Sequence, residues 1–469
     1  MSSRVGPRHA RRPVPTLLRG IYLPRSMDAG AFALATYGIP LLVLATTNSA
    51  SLTGLAFVLE WLPRLGAFAV AGAMVDRHGT SRILRLASAT RAGVVVAAAL
   101  ALPQLEGGLS TTVTVMLLAA ATGVLTEFSY IAAETAGGVA SRQAGQRAHS
   151  VQSVLLGIDQ VGTLAGPAAA GLLLEYTGAA GMLVTIAVFS LLACAFAPRP
   201  YATGQTEAPQ PVHAGLRAVW TTLRSLPALG WLVGGLTLSN LAIGLLQAAT
   251  PVIVVQQFGH SSADVGLIWS VAAVASLITV AVCRRAIDRW GLWPVGALCA
   301  AIAACGCLAV SLTHTYTAYL VLIAVLMAGE GGMTVVLRTL RSRLIPQTVF
   351  GATLSLTILV LLLPFPLAGV LVATVPPALL GHAITGCAVV QAIGLALAFV
   401  RLRTLPGLSR SSRLTPSRAA RSSTTRCPQR HTGRPPVVPR GIQAHDHRPV
   451  PRLRHPTPLR LPGPGEGDG

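Results

Sequence analysis

Twelve apolar stretches, each long enough to cross about 30 Å of hydrocarbon, recur along this chain and constrain its fold more than any other feature. They fall at 27–48, 51–75, 83–103, 112–138, 150–174, 180–198, 229–252, 261–284, 291–312, 316–340, 350–376 and 379–401. Gly, Pro and Thr interrupt several of them, which membrane helices tolerate because freed backbone groups are re-satisfied locally. Only 11% of the 469 residues are charged and 52% are hydrophobic, too little charge to cover a soluble surface of this size. Lipid is therefore the expected solvent.

The formal net charge of +21 suggests nucleic acid until the charges are placed. Every basic residue is arginine, and nearly all lie in the termini or in alternate loops. The connections 48–51, 104–111, 175–180, 253–260, 313–315 and 377–378 hold no Arg. The others hold Arg77, Arg82 and Arg85; Arg142 and Arg147; Arg199, Arg217 and Arg224; Arg284, Arg285 and Arg289; Arg338, Arg341 and Arg343. This alternation follows the positive-inside rule and places both termini in the cytoplasm. It also checks the count, because one missed span would break the phase. The Arg-rich first 25 residues lack the pattern of a cleavable signal peptide. Residues 1–26 are thus expected to be a cytoplasmic N-terminal segment, with a multi-pass plasma-membrane location and no nucleic-acid partner.

The longest internal connection, 199–228, divides the chain into six-span halves at 27–198 and 229–401. Its second part sets Leu216, Val219, Trp220, Leu223 and Leu226 opposite Arg217, Thr221 and Arg224, the pattern of a helix lying in the cytoplasmic interface. Residues 402–469 are rich in Arg, Pro, Ser and His and are expected to be disordered, as a solvated extension or a reading-frame artefact. Six of the seven cysteines lie in or beside apolar runs, so neither a disulfide framework nor a metal site is expected.

A motif repeats between the halves. Gly72-Ala-Met-Val-Asp76-Arg77-His-Gly79-Thr-Ser-Arg82 follows span two, and Arg284-Arg-Ala-Ile-Asp288-Arg289-Trp-Gly291 follows span eight, 212 residues later. The same offset takes Asp28 in span one to Asn240 in span seven. Gly79 suits a tight reversal, and Gly72 a close helix approach. Asp76 can face an Arg or a helix N-terminus of the other half, so that making and breaking this contact works as a two-state latch. The alternative is a loop whose arginines only fix orientation, and Arg82 and Arg85 alone fit that better.

Ionisable groups inside the spans each cost about 2.5–3.5 kcal/mol and need a reason. Glu60 and Arg64, at i and i+4 around Pro63, are expected to neutralise each other; a buried structural pair and a transport role fit equally. Glu127, Tyr130 and Glu134 form one stripe on span four, with Glu134 expected to pair with Arg142. Asp159 with Gln160, the Asn240 and Gln247 stripe, Asp28 and Glu330 complete a candidate polar cavity near the midplane. Arg91 suits a structural pair. Glu127 or Asp159 is the expected proton-titrating carboxylate.

With these features the chain resembles the major facilitator superfamily over about residues 20–401. It looks most like the branch of enterobactin and macrolide exporters, through Glu60-Trp-Leu-Pro63 leading into the latch and Arg341-Ser-Arg343-Leu-Ile-Pro346 followed by Gly351. In span five, Gly162-x3-Gly166-Pro167-x2-Ala-Gly171 is similar to the antiporter motif of drug exporters. The resemblance implies an all-α membrane protein of twelve helices in two pseudo-symmetric six-helix bundles. It also implies efflux of a small amphipathic molecule such as an antibiotic or siderophore, protons as coupling ion, and a monomer without cofactor. Span four carries Glu127 and lacks the Arg that proton-coupled drug exporters have there, so antiport is implied by resemblance alone. An importer and a non-transporting sensor or scaffold are the rivals. Nucleophile, metal and P-loop motifs are absent, which argues against an enzyme or an ATP-driven pump.

Overall fold

The computed structural model describes residues 17–105, 108–144, 148–198, 226–344 and 350–404, and all of its regular structure is helical. A π-helical turn, Leu18–Tyr22, runs directly into α1, Leu23–Thr47, so the first helix begins inside the segment expected to precede it. There follow α2 (Ala50–His78), α3 (Thr80–Ala101) and α4 (Leu109–Gln143). The next helical run, Ala148–Phe196, would extend about 70 Å at 1.5 Å per residue, over twice the hydrocarbon thickness. Gly178, at φ 71° and ψ −175°, breaks it, and no side chain other than hydrogen adopts that backbone readily. Met182 and Ala170 both lie against Gly38 of α1, so the chain reverses here and makes α5 (148–177) and α6 (179–196).

The second half comprises α7 (Pro227–Val252), α8 (Ser262–Trp290), α9 (Leu292–Ser311) and α10 (Tyr316–Leu344). Then come α11, in two pieces (Phe350–Leu362 and Pro364–Thr374), and α12 (Leu380–Thr404). Among the described residues ten helices are long and apolar enough to span a bilayer, and α2, bent by 50°, makes eleven. The run divided at Gly178 counts twice, which gives the expected twelve. The interfacial helix expected in 199–225 and the tail beyond residue 404 lie outside the described residues.

The two halves repeat one packing plan. In the first, α1 packs on α5 and α6, α2 on α4, and α3 on α4 and α6. In the second, α7 packs on α11 and α12, α8 on α10, and α9 on α10 and α12. The turns repeat too. Gly79 (φ 83°) donates its N–H to the Val75 carbonyl at 2.9 Å, and Gly291 (φ 91°) donates to Ile287 at 2.9 Å. Both turns thus place a glycine at positive φ, 212 residues apart.

The halves meet through α5 on α8 and α2 on α11, a pair of contacts that the pseudo-twofold exchanges. Small residues make this possible. Gly266 of α8 lies on the Pro167 carbonyl, and Gly54 of α2 lies 2.7 Å, measured from where its Cβ would be, from the Gly369 carbonyl of α11. Gly54 and Gly266 are themselves separated by the same offset as Asp76 and Asp288. Gly171 rests on the backbone of Ser262 and Ala263, and the Ser270 hydroxyl accepts from the Ala168 N–H at 3.2 Å. Asn48 and Gln256 join the rims of α1 and α7 at 3.2 Å. All these contacts lie on the arginine-poor face. Toward the arginine-rich face, among the described residues, α4 makes no extended contact with α10 or with the first piece of α11.

A bulkier side chain at this seal has nowhere to go without parting two backbones, at a cost of about 1–3 kcal/mol. Gly171→Leu is expected to destabilise the outer closure, and spin labels at positions 48 and 256 should report a longer distance than in the parent chain.

Candidate functional site

A cavity of about 410 Å³ lies between the halves, walled by α1, α2, α4 and α5 on one side and by α7, α10 and α11 on the other. Its wall from the first half is built on ion pairs, because a charge taken out of water in this setting needs a partner. Arg25, in the first turn of α1 and 3% exposed, grips Asp159 of α5 with a two-pronged contact: Nε to Oδ1 at 2.9 Å and Nη2 to Oδ2 at 2.8 Å. The same Nη2 donates to Glu134 of α4 at 3.0 Å, and the guanidinium lies 5.0 Å from the Tyr130 ring centre. Arg64 of α2 donates to Glu127 at 2.5 Å and stacks between Trp61 (4.5 Å) and Phe32 (4.9 Å).

One sequence expectation is corrected here. Arg64 does not pair with Glu60 on its own helix but with Glu127 across to α4. A long side chain on a packed helix reaches a neighbouring helix as easily as its own next turn. Glu134 pairs with Arg25, since α1 runs beside α4 at this level; the side chain of Arg142, its expected partner, lies outside the described residues. Arg25 was missed altogether because it reads as one more arginine of a topogenic N-terminal run. The signal that could have found it is charge balance: Glu134 and Asp159 are two acidic groups inside spans that each need a cation.

The remaining acidic candidates separate. Asp28 touches the cavity wall, yet it is 1% exposed and accepts from Arg91 at 2.8 Å. Arg91, fully buried, also donates to Ser190 (2.9 Å), Ser129 (3.1 Å) and Thr126 (3.4 Å), a knot that ties α1, α3, α4 and α6. The second half carries a related knot away from the cavity, where Glu330 of α10 accepts from Ser239 of α7 and from Gln391 of α12 at 3.2 Å. Glu330 has no cation partner among the described residues. Asn240 donates to the Leu361 carbonyl at 2.7 Å and ties α7 to α11, so it serves the packing while Gln247 lines the cavity. Glu60, 4% exposed, faces the Thr36 side chain, and its Oε2 finds no hydrogen-bond partner among the described residues. It sits one residue before Trp61, whose ring stacks on Phe365 of α11 at 4.3 Å and closes the cavity on the arginine-poor side.

The span-five glycines pack as a strip. Gly162 and Gly166 face Ala29 and Ala33 of α1, while Pro167 and Gly171 face α8. At the arginine-rich end Asp76, Arg77, Arg82, Asp288 and Arg289 are exposed, and neither aspartate forms an ion pair among the described residues. Gly72 was expected to permit a close helix approach; among the described residues nothing lies within 4 Å of where its Cβ would be. Arg85 instead caps α6, donating to the Ala197 carbonyl at 2.6 Å.

Two bundles of one packing plan, a cavity between them and an Asp-Arg-x-Gly turn repeated in both halves agree with the sequence profile of the Major Facilitator Superfamily, which matches residues 25–368. The chain belongs to this superfamily. No relative among curated proteins matches it in sequence. Solved structures share the fold. A bacterial homologue of the iron transporter ferroportin, in an inward-facing state, superposes with a TM-score of 0.62 at 16% identity, covering 82% of this chain and 98% of its own. A bacterial homologue of the lysosomal transporter Spinster, inward-facing and unoccupied, gives 0.60 at 14%, covering 81% and 96%. A D-xylose–proton symporter gives 0.61 at 14%, covering 83% and 98%. This superfamily member is thus a multi-pass transporter by fold, and the positive-inside rule makes its arginine-rich, parted face the cytoplasmic one.

Removing Arg91 would strand Asp28 as a buried charge among hydroxyls, a loss of about 3–5 kcal/mol. Arg91→Ala is expected to lower both the melting temperature in detergent and the amount of protein reaching the membrane, whereas Arg82→Ala should leave both near the parent values.

Proposed function

We propose that this protein is a proton-coupled exporter of a small amphipathic organic molecule in the cell membrane, working as a monomer by alternating access. The observation that supports this best is the cavity itself: both halves wall it, small-residue contacts shut it on one face, and the bundles part on the other. Such an arrangement is one end of a two-state cycle. The pseudo-twofold supplies the other end, since the latch turns around Gly72, Asp76 and Gly79 and around Asp288 and Gly291 stand at equivalent places on the parted rim. In the closed-inward state Asp76 and Asp288 would face partners across the halves, and Gly72 would meet the helix it now stands clear of. The Gly162, Gly166, Pro167 and Gly171 strip limits leak when the cytoplasmic side is open, which favours efflux.

For proton coupling, the arginine pairing of Glu127 and Asp159 shifts the assignment to Glu60. Among the described residues it is the one buried carboxyl of the first half that forms no ion pair, because Arg64, four residues on, is engaged by Glu127. One cation between two carboxylates leaves a place for one proton. Opening the outer seal at Trp61 and Phe365 would bring Glu60 toward the outer face, where that proton is taken up.

Cells expressing the chain should accumulate less of a transported probe than cells without it, and an uncoupler should abolish the difference. Accumulation that is equal in both removes the efflux reading. In proteoliposomes Glu60→Gln is expected to keep substrate exchange and lose pH-gradient-driven transport, and intact coupling in that variant would return the assignment to Glu127 or Asp159.

A further inference from the structure

We propose that the cavity is selective for an organic monoanion with a flat apolar body, its acidic group held by Arg338 of α10. The inference rests on the transport reading above and names the substrate class. Three carboxylates line the cavity, Asp28, Glu127 and Asp159, and each already meets an arginine: Arg91, Arg64 and Arg25, the last shared with Glu134. Arg338 completes the cavity charges. Its side chain is exposed, and no acceptor lies within hydrogen-bond distance among the described residues. Glu330, the acidic residue on the same helix, lies two turns earlier and is turned away into its contacts with Ser239 and Gln391. Arg338 is therefore the one charged side chain lining the cavity that has no ion-pair partner among the described residues, and it comes from the half that lacks ion pairs facing the cavity.

The unanswered polar atoms point the same way. On cavity-lining residues they are Arg25 Nη1, Arg64 Nη1 and Trp61 Nε1, each buried and each without a partner among the described residues. All three are donors, so what the cavity lacks is acceptors. A cation would face the unpaired Arg338 and find every lining carboxylate taken. An anion would answer Arg338, and its oxygens would suit the stranded N–H groups as the halves close. The apolar body is matched by the stacked rings of Trp61 and Phe365 and by Ile358 and Leu362. Charge-assisted hydrogen bonds to a guanidinium are about twice as strong as neutral ones, which suffices for discrimination at a site partly shielded from water.

The test uses the full chain in phosphatidylcholine nanodiscs and three probes of one shape: 1-naphthoate, 1-naphthalenemethanol and 1-naphthylmethylammonium. Equilibrium dialysis, corrected with empty nanodiscs, should show naphthoate binding about tenfold more tightly than the ammonium, the neutral alcohol lying between. Arg338→Gln should remove that preference and leave the alcohol unchanged, while Arg338→Lys should keep most of it. Equal or tighter binding of the ammonium, or an anion preference that survives Arg338→Gln, overturns the proposal, as does failure of all three probes to bind the parent chain. Uncoupler-sensitive efflux is measured separately, so a cation-selective cavity in a chain that still transports ends the anion class and leaves the export reading standing.

Discussion

A charge inside a bilayer must find its partner within the protein, and that requirement organises the first half of this molecule. Three arginines, on α1, α2 and α3, reach carboxylates on α5, α4 and α1, and between them they join five of the six helices of that bundle. The helices could slide past one another on apolar contacts alone, since lipid tails are as apolar as the side chains they would exchange with. Paired charges remove that freedom, because any slip strands a buried ion. The polar wall of the cavity is thus also the element that fixes its shape.

The second half solves the same problem with fewer charges. Its knot at Glu330, Ser239 and Gln391 occupies the level where Asp28, Arg91 and Ser190 meet in the first, yet uses a carboxyl held by neutral donors. The consequence is an asymmetric cavity inside a symmetric fold: a self-neutralised wall facing one that presents a lone guanidinium. Symmetry serves the movement and asymmetry serves recognition. The movement depends on contacts that can be made and unmade without unfolding, and backbone packed on backbone at Gly54, Gly171, Gly266 and Gly369 provides this, since few side chains need to change rotamer as the halves rock.

The sequence made the architecture legible because its signals are local or periodic. Hydrocarbon thickness sets span length, arginine alternation sets orientation, and the repeated Asp-Arg-x-Gly turn betrays the duplication, so most helix ends fall within a few residues of expectation, the first helix starting earlier, at Leu18. Even the Gly178 reversal was present as an arginine-free gap between two apolar runs. The candidate residues were legible as a set, for a polar group in a span is conspicuous. Their roles were less so. Glu60 and Arg64 looked like a pair because they are neighbours on one helix, and Arg25 looked topogenic because it stands among other arginines.

What the sequence by itself determined, then, is the number, order and direction of the helices and the twofold plan that relates them, all of which follow from length, period and loop charge. Which carboxylate each arginine holds was decided only by tertiary structure. The partners are 63 residues apart for Arg64 and Glu127 and 134 apart for Arg25 and Asp159, and they meet only once helices from distant segments are packed side by side. Charge pairing in the membrane depends on a few ångströms of approach, and no periodicity along the chain encodes that distance.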